Sequence, residues 1–321
     1  MSQPLQLQLE DSAALQRIES VIRRVGVRMN PDAFLETISL AYQQAQAEVI
    51  PDLDMPTRFR AGSSYSDFVS TLKFALQQLG SAVNALVIGC GRGYAGCTSS
   101  YAAEVLRDVG REALKTVDTL ELTPHMLAQN AKGLIQKYDL VVTHSIAHFI
   151  PSLDAFFRFV RARSGNVFVL GHEPNEAFWN DPQVRVLRDN RRRERKFRAT
   201  LAKLINPSSY VLKVRNKISI KPQKSMTTVV NEILRSKFAY RSDLTQFEIA
   251  AFVDPHLPTD SDFRIGQKGL DATFIEKQYL PGFTLLKLES SEYPSLDEES
   301  SVRHGLAGSI FSAVFRKLAT Q

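Results

Sequence analysis

From residue 84 onward, short runs of β-branched and apolar residues alternate with segments in which apolar residues recur at helical spacing. Strands that alternate with helices predict a parallel sheet that is covered by helices on both faces. The predicted strands are Ala85–Ile88, Val117–Leu122, Tyr138–Thr143 and Asn166–Leu170, with Phe283–Leu288 and Ser309–Phe315 near the end of the chain. The predicted helices follow the first strand as far as Val109 and then span Pro124–Lys132 and Leu153–Arg163. The expected fold class is therefore α/β, with a doubly wound and mostly parallel sheet that binds ligands beyond the carboxyl ends of its strands.

Two further regions accompany this core. Residues 1–80 read as helical throughout, with helices predicted at Ala13–Val25, Phe34–Val49 and Ser63–Leu79. The predicted domains are an N-terminal helical cover or lid at 1–80, a core made of 81–180 and 251–321, and a basic, mainly helical insertion at 181–250. We expect the cover and the insertion to close over the ligand crevice of the core.

The insertion is defined by its charge. Residues 185–241 contain 17 Lys and Arg against three Asp and Glu, a net charge of +14, whereas the whole chain carries +6. A solvated helical face is the simplest explanation, but such an excess also builds a strong field that attracts an anionic partner. Arg191, Arg192 and Arg195 are the candidate substrate-binding cations, because guanidinium groups pair with phosphate and carboxylate. Few aromatic residues accompany them for base stacking, which argues against nucleic acid.

Composition excludes several classes of protein. No apolar run approaches the roughly 20 residues of a membrane span. The N-terminus, MSQPLQLQLEDS, lacks the basic start and apolar stretch of a secretion signal. The two cysteines, Cys90 and Cys97, have a spacing that suits no zinc site. We therefore expect a cytoplasmic protein with no membrane partner and no bound metal.

A glycine-rich turn follows the first predicted strand. The sequence LVIGCGRGYAG, residues 86–96, fits two fingerprints. Gly91-x-Gly93-x-x-Gly96 is formally a dinucleotide pattern, while Gly89-x-Gly91-x-Gly93 is the tighter pattern of many methyl-transferring enzymes. Glycine lets the backbone pass close to a ligand, and the helix that follows presents N–H groups to an anion. The turn alone does not decide between these ligands, and a turn that serves only packing is a third option.

The end of the second strand favours the methyl-transferring pattern among these options. In TLELTPHMLAQNA, Glu121 ends the strand, and Thr123 and Pro124 begin a helix. A carboxylate at this position can accept both ribose hydroxyls of an adenosine. Here the sequence resembles the class I, S-adenosylmethionine-dependent methyltransferases, whose second strand ends in an acidic residue followed by a pattern like S/T-P-x-M-L-x-x-A.

The resemblance continues along the chain. YDLVVTHSIAHFIPSLDAFFRFVRA is similar to that family's fourth strand and helix, and GNVFVLGHEPN is similar to its fifth strand and the following loop. SIFSAVF looks like the closing antiparallel strand of its seven-stranded sheet, although no third strand is visible between Glu121 and Asp139. The resemblance implies a Rossmann-like methyltransferase fold and S-adenosylmethionine as the cofactor.

Individual roles follow from the same resemblance. It implies a cofactor-binding set that consists of Gly89, Cys90, Gly91, Gly93, Glu121, Leu122, Ser145 and Ile146. The glycines would line the methionine part of the cofactor, and Glu121 would hold its ribose. Ser145, Ile146 and His148 would stand near the sulfonium and the incoming substrate. For His148, a purely structural role packed by Phe149 is the alternative.

Acid–base catalysis has four candidate side chains: His148, His172, Glu173 and His256. Methyl transfer from a sulfonium depends mainly on positioning, and a base is needed only when the acceptor is protonated. His172 and Glu173 are predicted to lie just past the carboxyl end of a strand. Asp254 and His256 would face the same way on an extended segment, as a base and its orienting partner or as a structural hydrogen bond. Trp179 is a candidate substrate contact, or an anchor for its loop.

We therefore expect an S-adenosylmethionine-dependent methyltransferase that acts on a small, anionic or carrier-tethered metabolite in a biosynthetic reaction. The alternatives are a catalytically silent scaffold that docks an acidic partner, a nucleic-acid methyltransferase, and a nicotinamide-dependent oxidoreductase that uses the dinucleotide pattern. The acceptor atom and the oligomeric state, with a homodimer as one option, are open at this stage.

Overall fold

The structure is a computed structural model of the 321-residue chain. It describes residues 12–49, 63–89, 99–122, 136–150, 152–184, 225–255, 269–291 and 310–318, together with positions 186, 190, 193 and 197. The predicted helix at Pro124–Lys132 lies outside the described residues. In the basic insertion, the described positions 182–184, 186, 190, 193 and 197 are helical, in line with the helix predicted there.

Within the described residues, six strands form one sheet in the order β2-β1-β3-β4-β6-β5. Their bounds are β1 Val83–Gly89, β2 Leu114–Glu121, β3 Tyr138–His144, β4 Ser164–Pro174, β5 Phe283–Ser291 and β6 Ile310–Lys317. Strands β1 to β4 are parallel, and β6 runs antiparallel to both of its neighbours, β4 and β5. The predicted α/β class, the mostly parallel Rossmann-like sheet and the antiparallel closing strand are confirmed.

Helices cover both faces of the sheet and also extend beyond it. Their bounds are α1 Ser12–Val25, α2 Pro31–Val49, α3 Ser63–Gln77, α4 Ser99–Gly110, α5 Leu153–Arg163, α6 Glu176–Asn180, α7 Met226–Lys237, α8 Gln246–Val253 and α9 Ala272–Tyr279. A short 3₁₀ turn, Ala147–Phe149, follows β3. No helix within the described ranges combines the length and the hydropathy that a membrane crossing requires.

Strand β1 shows why the sheet is buried on both sides. Successive side chains of a strand point to opposite faces, and β1 is apolar at nearly every position. Leu86 and Ile88 pack in one core with α5 and α9, whereas Ala85 and Val87 pack in another with α3 and α4. The sheet therefore separates two hydrophobic layers, and its strand ends are left as the polar edge.

A separate core joins the N-terminal helices to the helices that follow the insertion. Helices α1, α2, α7 and α8 bury their apolar faces together, with the rings of Phe34 and Phe252 5.9 Å apart. Arg24 of α1 donates to both carboxylate oxygens of Glu248 in α8, at 2.7 and 2.8 Å. Helix α3 packs on the sheet instead, and α8 runs across the predicted domain boundary at residue 250. The N-terminal region thus contributes to two different cores.

Candidate functional site

The carboxyl ends of β1 to β4 lie side by side at one edge of the sheet. Gly89 and Glu121 are register partners at the ends of β1 and β2. Strand β3 lies on the other side of β1, and its last residue, His144, pairs with Gly171 of β4. Ser145 follows directly. This edge, where ligands bind in doubly wound sheets, therefore holds several of the residues that the sequence singled out.

Glu121 faces the exit of the glycine-rich turn. Its Oε1 atom accepts the Ser99 backbone N–H at 2.8 Å and the Ser99 hydroxyl at 2.6 Å. Ser99 is the first residue of α4, so the carboxylate lies at the positive end of the helix that follows the turn. The Oε2 atom is buried and has no hydrogen-bond partner among the described residues. Within the part of the chain that the structure describes, Ser99 thus fixes one oxygen, and the other oxygen is left as an acceptor.

Two predicted cofactor residues are buried in the hydrophobic core. Leu122 and Ile146 both have less than 2% of their surface exposed. The Leu122 N–H donates to the Gly89 carbonyl at 2.7 Å, which holds the ends of β1 and β2 together. At this edge both residues shape the backbone, and their predicted contact with a cofactor stays a prediction.

Glu173 is fully buried and accepts hydrogen bonds from the 3₁₀ turn after β3. Its Oε1 atom accepts the N–H groups of Ile146 and Ala147, each at 2.9 Å. Its Oε2 atom accepts the His148 N–H at 3.2 Å and lies 2.6 Å from the His148 Nδ1 atom. A buried carboxylate requires such compensation, because desolvation of an unpaired charge is costly. The β4 side chain therefore fixes both the backbone of the turn and the imidazole on it.

Ser145 and His172 adopt an unusual backbone conformation next to one another. Their φ angles are 52° and 58°, in the left-handed region that residues with a Cβ atom rarely occupy. Ser145 Oγ lies 2.6 Å from His172 Nδ1 and also donates to the His172 carbonyl at 3.0 Å. Such outliers cluster at functional sites, and both lie at the edge that the sequence predicted to bind ligand.

A β-bulge places His172 in this position. Leu170 pairs with Ala313 of β6 and Glu173 pairs with Phe311, so β4 has one extra residue between these pairs. The His172 N–H donates to the Ser312 hydroxyl at 3.1 Å. Bulges redirect side chains, as they do here for the last residues of β4. The prediction that His172 and Glu173 lie just past the strand is wrong, because pairing with β6 extends β4 to Pro174.

His172 is held as a neutral imidazole. Burial lowers its pKa from 6.5 to about 4, while the charge of Glu173 acts to raise it and that of His148 to lower it. His144, which the sequence analysis missed, stacks on it with ring centroids 5.0 Å apart. Phe68 and Tyr101 pack edge-on against His144, at 4.5 and 5.5 Å. The position of His144 directly after the predicted strand YDLVVT was the signal that could have identified it.

A Ser–His pair in a strained turn after a strand suggests a nucleophile, but this geometry does not support acyl transfer. Such a site needs backbone N–H groups beside the serine to stabilise an oxyanion. The N–H groups of Ile146 and Ala147 donate to Glu173 instead. Among the described pairs, His148 with Glu173 has the arrangement of a base and its orienting carboxylate.

Several predicted site residues lie outside the described residues: Cys90, Gly91, Gly93, Arg191, Arg192, Arg195 and His256. Asp254 is described, and the predicted alignment of its side chain with that of His256 stays a prediction. Asp254 follows the last residue of α8, and its N–H donates to the Ala250 carbonyl at 2.9 Å. The described residues contain no group of three or more His, Cys, Asp or Glu side chains arranged to hold a metal ion.

Trp179 lies in α6, directly after β4. Asn175 begins this helix by accepting the Ala177 N–H at 3.2 Å, and the Trp179 ring packs edge-on against Phe178 with centroids 5.1 Å apart. The helix start is also joined to residues near α9, since the Glu176 N–H donates to the Leu270 carbonyl at 2.9 Å. Trp179 is half-buried there, and its contact with a substrate stays a prediction.

Comparison with known proteins found similarity at the level of solved structures. No family model matches the sequence, and no curated protein matches it. One similar structure is an S-adenosylmethionine-dependent methyltransferase from Anabaena variabilis, with 11% identity, a TM-score of 0.30, and coverage of 90% of this chain and 96% of that chain. Another is the plantazolicin methyltransferase BamL in complex with a triazolic desmethylPZN analog and SAH, with 10% identity, a TM-score of 0.30, and coverage of 89% and 99%. Both are methyltransferases.

Proposed function

We propose that the protein is an S-adenosylmethionine-dependent methyltransferase whose cofactor site lies at the carboxyl edge of β1 to β4. The Glu121 carboxylate is the observation that supports this most directly. Its Oε1 atom is held by Ser99, and its buried Oε2 atom has no partner among the described residues. A buried acceptor without a donor is costly, so this oxygen suits a ribose hydroxyl of an adenosine-containing cofactor.

The chain's own residues would then act mainly by binding and positioning. In this proposal Glu121 holds the ribose, the backbone at Gly89 lies beside the methionine part, and Ser145 stands at the methyl-transfer end. Cys90, Gly91 and Gly93 would complete the turn around the cofactor. When bound, S-adenosylmethionine supplies a methyl group on a positively charged sulfur. The protein aligns the acceptor with that group and excludes water, which is the main contribution to such a transfer.

The proposed substrate is a small metabolite that is anionic or tethered to an acidic carrier. The net charge of +14 over residues 185–241 supports this, because it is concentrated in one insertion of an otherwise acidic chain. Arg193, a described residue of the insertion, is helical and exposed. Arg191, Arg192, Arg195 and Trp179 are the proposed substrate contacts.

Calorimetric titration of the full chain with S-adenosylmethionine and with S-adenosylhomocysteine tests the proposal. We expect micromolar dissociation constants, which correspond to binding free energies on the order of −7 to −8 kcal/mol. Glu121→Ala should weaken binding by roughly 1–3 kcal/mol, because it removes hydrogen bonds to a charged group.

The matched control is Asp118→Asn. Asp118 lies on the same strand, but its carboxylate accepts the Tyr138 hydroxyl at 2.9 Å and lies away from the edge. This variant should keep its affinity within about twofold, as expected for a change outside the site. A folded chain that gives no heat with either ligand would contradict the proposal and favour the non-catalytic scaffold.

A further inference from the structure

The carboxylate of Glu173 is saturated with hydrogen-bond donors. An ionised carboxylate has about four acceptor positions. Two backbone N–H groups occupy Oε1, and one backbone N–H group together with the His148 imidazole occupies Oε2. Glu173 is also fully buried. Its side chain is therefore committed to holding the turn, and it is unsuited to taking a proton from a substrate.

The contact with Glu173 sets the tautomer of His148. A carboxylate oxygen only accepts hydrogen bonds, so the proton of the neutral imidazole lies on Nδ1, 2.6 Å from Oε2. Nε2 is then the basic nitrogen. If Nε2 takes up a proton, the resulting imidazolium is paired with the buried carboxylate at once. This is the arrangement in which a carboxylate orients a general base and stabilises its charged form.

His172, another histidine on this edge, is not equivalent to His148. His172 uses Nδ1 in its contact with Ser145, and burial holds its pKa near 4, so it is a weak proton acceptor at neutral pH. His148 stands on the turn that begins directly after the carboxyl end of β3, beside the strand that ends at Gly89. Of these two histidines, His148 has both the orienting partner and the position.

Building on the proposed function, we propose that His148 accepts the proton of the methyl acceptor, that Glu173 is its positioning residue, and that the acceptor is a hydroxyl group. A carboxylate acceptor is already ionised at neutral pH and needs no base. An ammonium has no lone pair until its proton has been lost beforehand. A neutral hydroxyl keeps its lone pairs and becomes more nucleophilic as the proton leaves, which is the case that a positioned imidazole assists.

The methyl acceptor, the methyl donor and His148 together account for every atom and charge in the proposed methyl transfer. The hydroxyl oxygen forms a bond to the methyl carbon, the bond between that carbon and sulfur breaks with its electron pair remaining on sulfur, and the hydroxyl proton passes to Nε2 of His148. The positive charge of the methyl donor thus ends on an imidazolium next to Glu173, and the product is a methyl ether.

Nuclear magnetic resonance of the full chain labelled with ¹⁵N-histidine tests the positioning without any substrate. We expect His148 to show the Nδ1–H tautomer in the wild-type protein and a mixture of tautomers in Glu173→Gln, because the amide no longer offers two acceptor oxygens. An Nε2–H tautomer in the wild-type protein, or an unchanged spectrum in the variant, would overturn the assignment of roles.

Release of S-adenosylhomocysteine with a panel of hydroxyl-, amine- and carboxylate-bearing small metabolites tests the acceptor class. We expect turnover among the hydroxyl compounds, and a loss of kcat of about 100-fold or more in His148→Gln, as for removal of a general base.

The outcomes separate this inference from the proposed function. Calorimetry with S-adenosylhomocysteine reports the cofactor site, and His148→Gln should bind it within about threefold of wild type, because His148 is not assigned to cofactor binding. If S-adenosylhomocysteine still binds, three results would overturn this inference and leave the proposed function standing. They are turnover only of carboxylates or amines, no turnover of any compound in the panel, and no loss of kcat in His148→Gln. Loss of binding by the wild-type chain would overturn both.

Discussion

Ser145 and His172 are joined by a hydrogen-bonding distance of 2.6 Å between Oγ and Nδ1, and each has a left-handed backbone, with φ of 52° and 58°. A left-handed conformation costs roughly 1–2 kcal/mol for a residue with a Cβ atom. The hydrogen bonds between the two residues and the bulge in β4 hold both of them there. Among the described residues, two of the three non-glycine residues with positive φ thus lie at the proposed site.

Comparison of Ser145→Gly with Ser145→Ala measures this strain. Both variants lose the hydroxyl contact with His172, but only alanine keeps a Cβ atom at the positive φ. We expect the glycine variant to be more stable by roughly 0.5–1 kcal/mol, because relief of strain exceeds the entropy that glycine gains in the unfolded chain. Urea denaturation provides the measurement. An alanine variant as stable as the glycine variant would mean that the turn is not strained.

The pKa of His172 predicts a loss of stability in acid. Burial lowers that pKa from 6.5 to about 4, so between these values the unfolded chain binds a proton that the folded chain does not. The contribution to stability is therefore complete above about pH 6.5 and is lost as the pH falls towards 4, a change on the order of 3 kcal/mol. The free energy of unfolding of His172→Gln should show a shallower dependence on pH over this range. Parallel curves for the two proteins would contradict the prediction.

Gly269 supports the start of α6, and Gly282 is its matched control. Both have positive φ, 78° and 82°, but a Cβ atom on Gly269 would lie 2.9 Å from the backbone of Glu176, whereas one on Gly282 would meet nothing within 4 Å. Gly269→Ala should therefore cost about 1–3 kcal/mol more than Gly282→Ala, because backbone must move. Chemical denaturation gives the difference, and emission of the sole tryptophan, Trp179, should shift only in Gly269→Ala. Equal costs would argue against this contact.

The ion pair that joins α1 to α8 should contribute more to the free energy of unfolding than an exposed ion pair near the same group of helices. Arg24 contacts both oxygens of Glu248, whose side chain is 4% exposed, while Arg235 and Asp243 are about half exposed. We expect Arg24→Ala to cost roughly 1.5–3 kcal/mol, since it leaves a buried carboxylate with fewer partners, and Arg235→Ala to cost at most about 1 kcal/mol. Thermal or urea unfolding distinguishes them. A similar loss in both would show that burial of Glu248 does not matter.

Local patterns located most elements of the sheet region. Helix α5 has the predicted bounds, Leu153–Arg163, because a capping serine, a helical period and a following polar stretch all agree. Strand β3 was predicted one residue short, and β1 two residues short at its start and one at its end. The end of β4 was missed because its last residues are polar, and pairing with a strand more than 130 residues later holds them in the sheet.

The candidate site was also predicted only in part from the sequence. The alternation of strands and helices and the acidic end of the second strand placed Gly89 and Glu121 at one edge, because parallel strands bring their carboxyl ends together. The partnership of His148 with Glu173 could not be read from the sequence, where both were separate candidates for a base. It depends on the register of β3 against β4 and on the extra residue in the bulge.

The sequence by itself determined the class of fold, the order of its elements and the edge at which polar residues collect, because periodicity, capping and strand order act over short distances along the chain. Only the tertiary structure decided that Glu173 holds the turn on which His148 stands, that Ser145 and His172 share a strained corner, and that α1 and α2 form a core with α7 and α8. Those pairings join residues that lie far apart in the sequence, and they follow from side-chain packing and strand register, which no local pattern encodes.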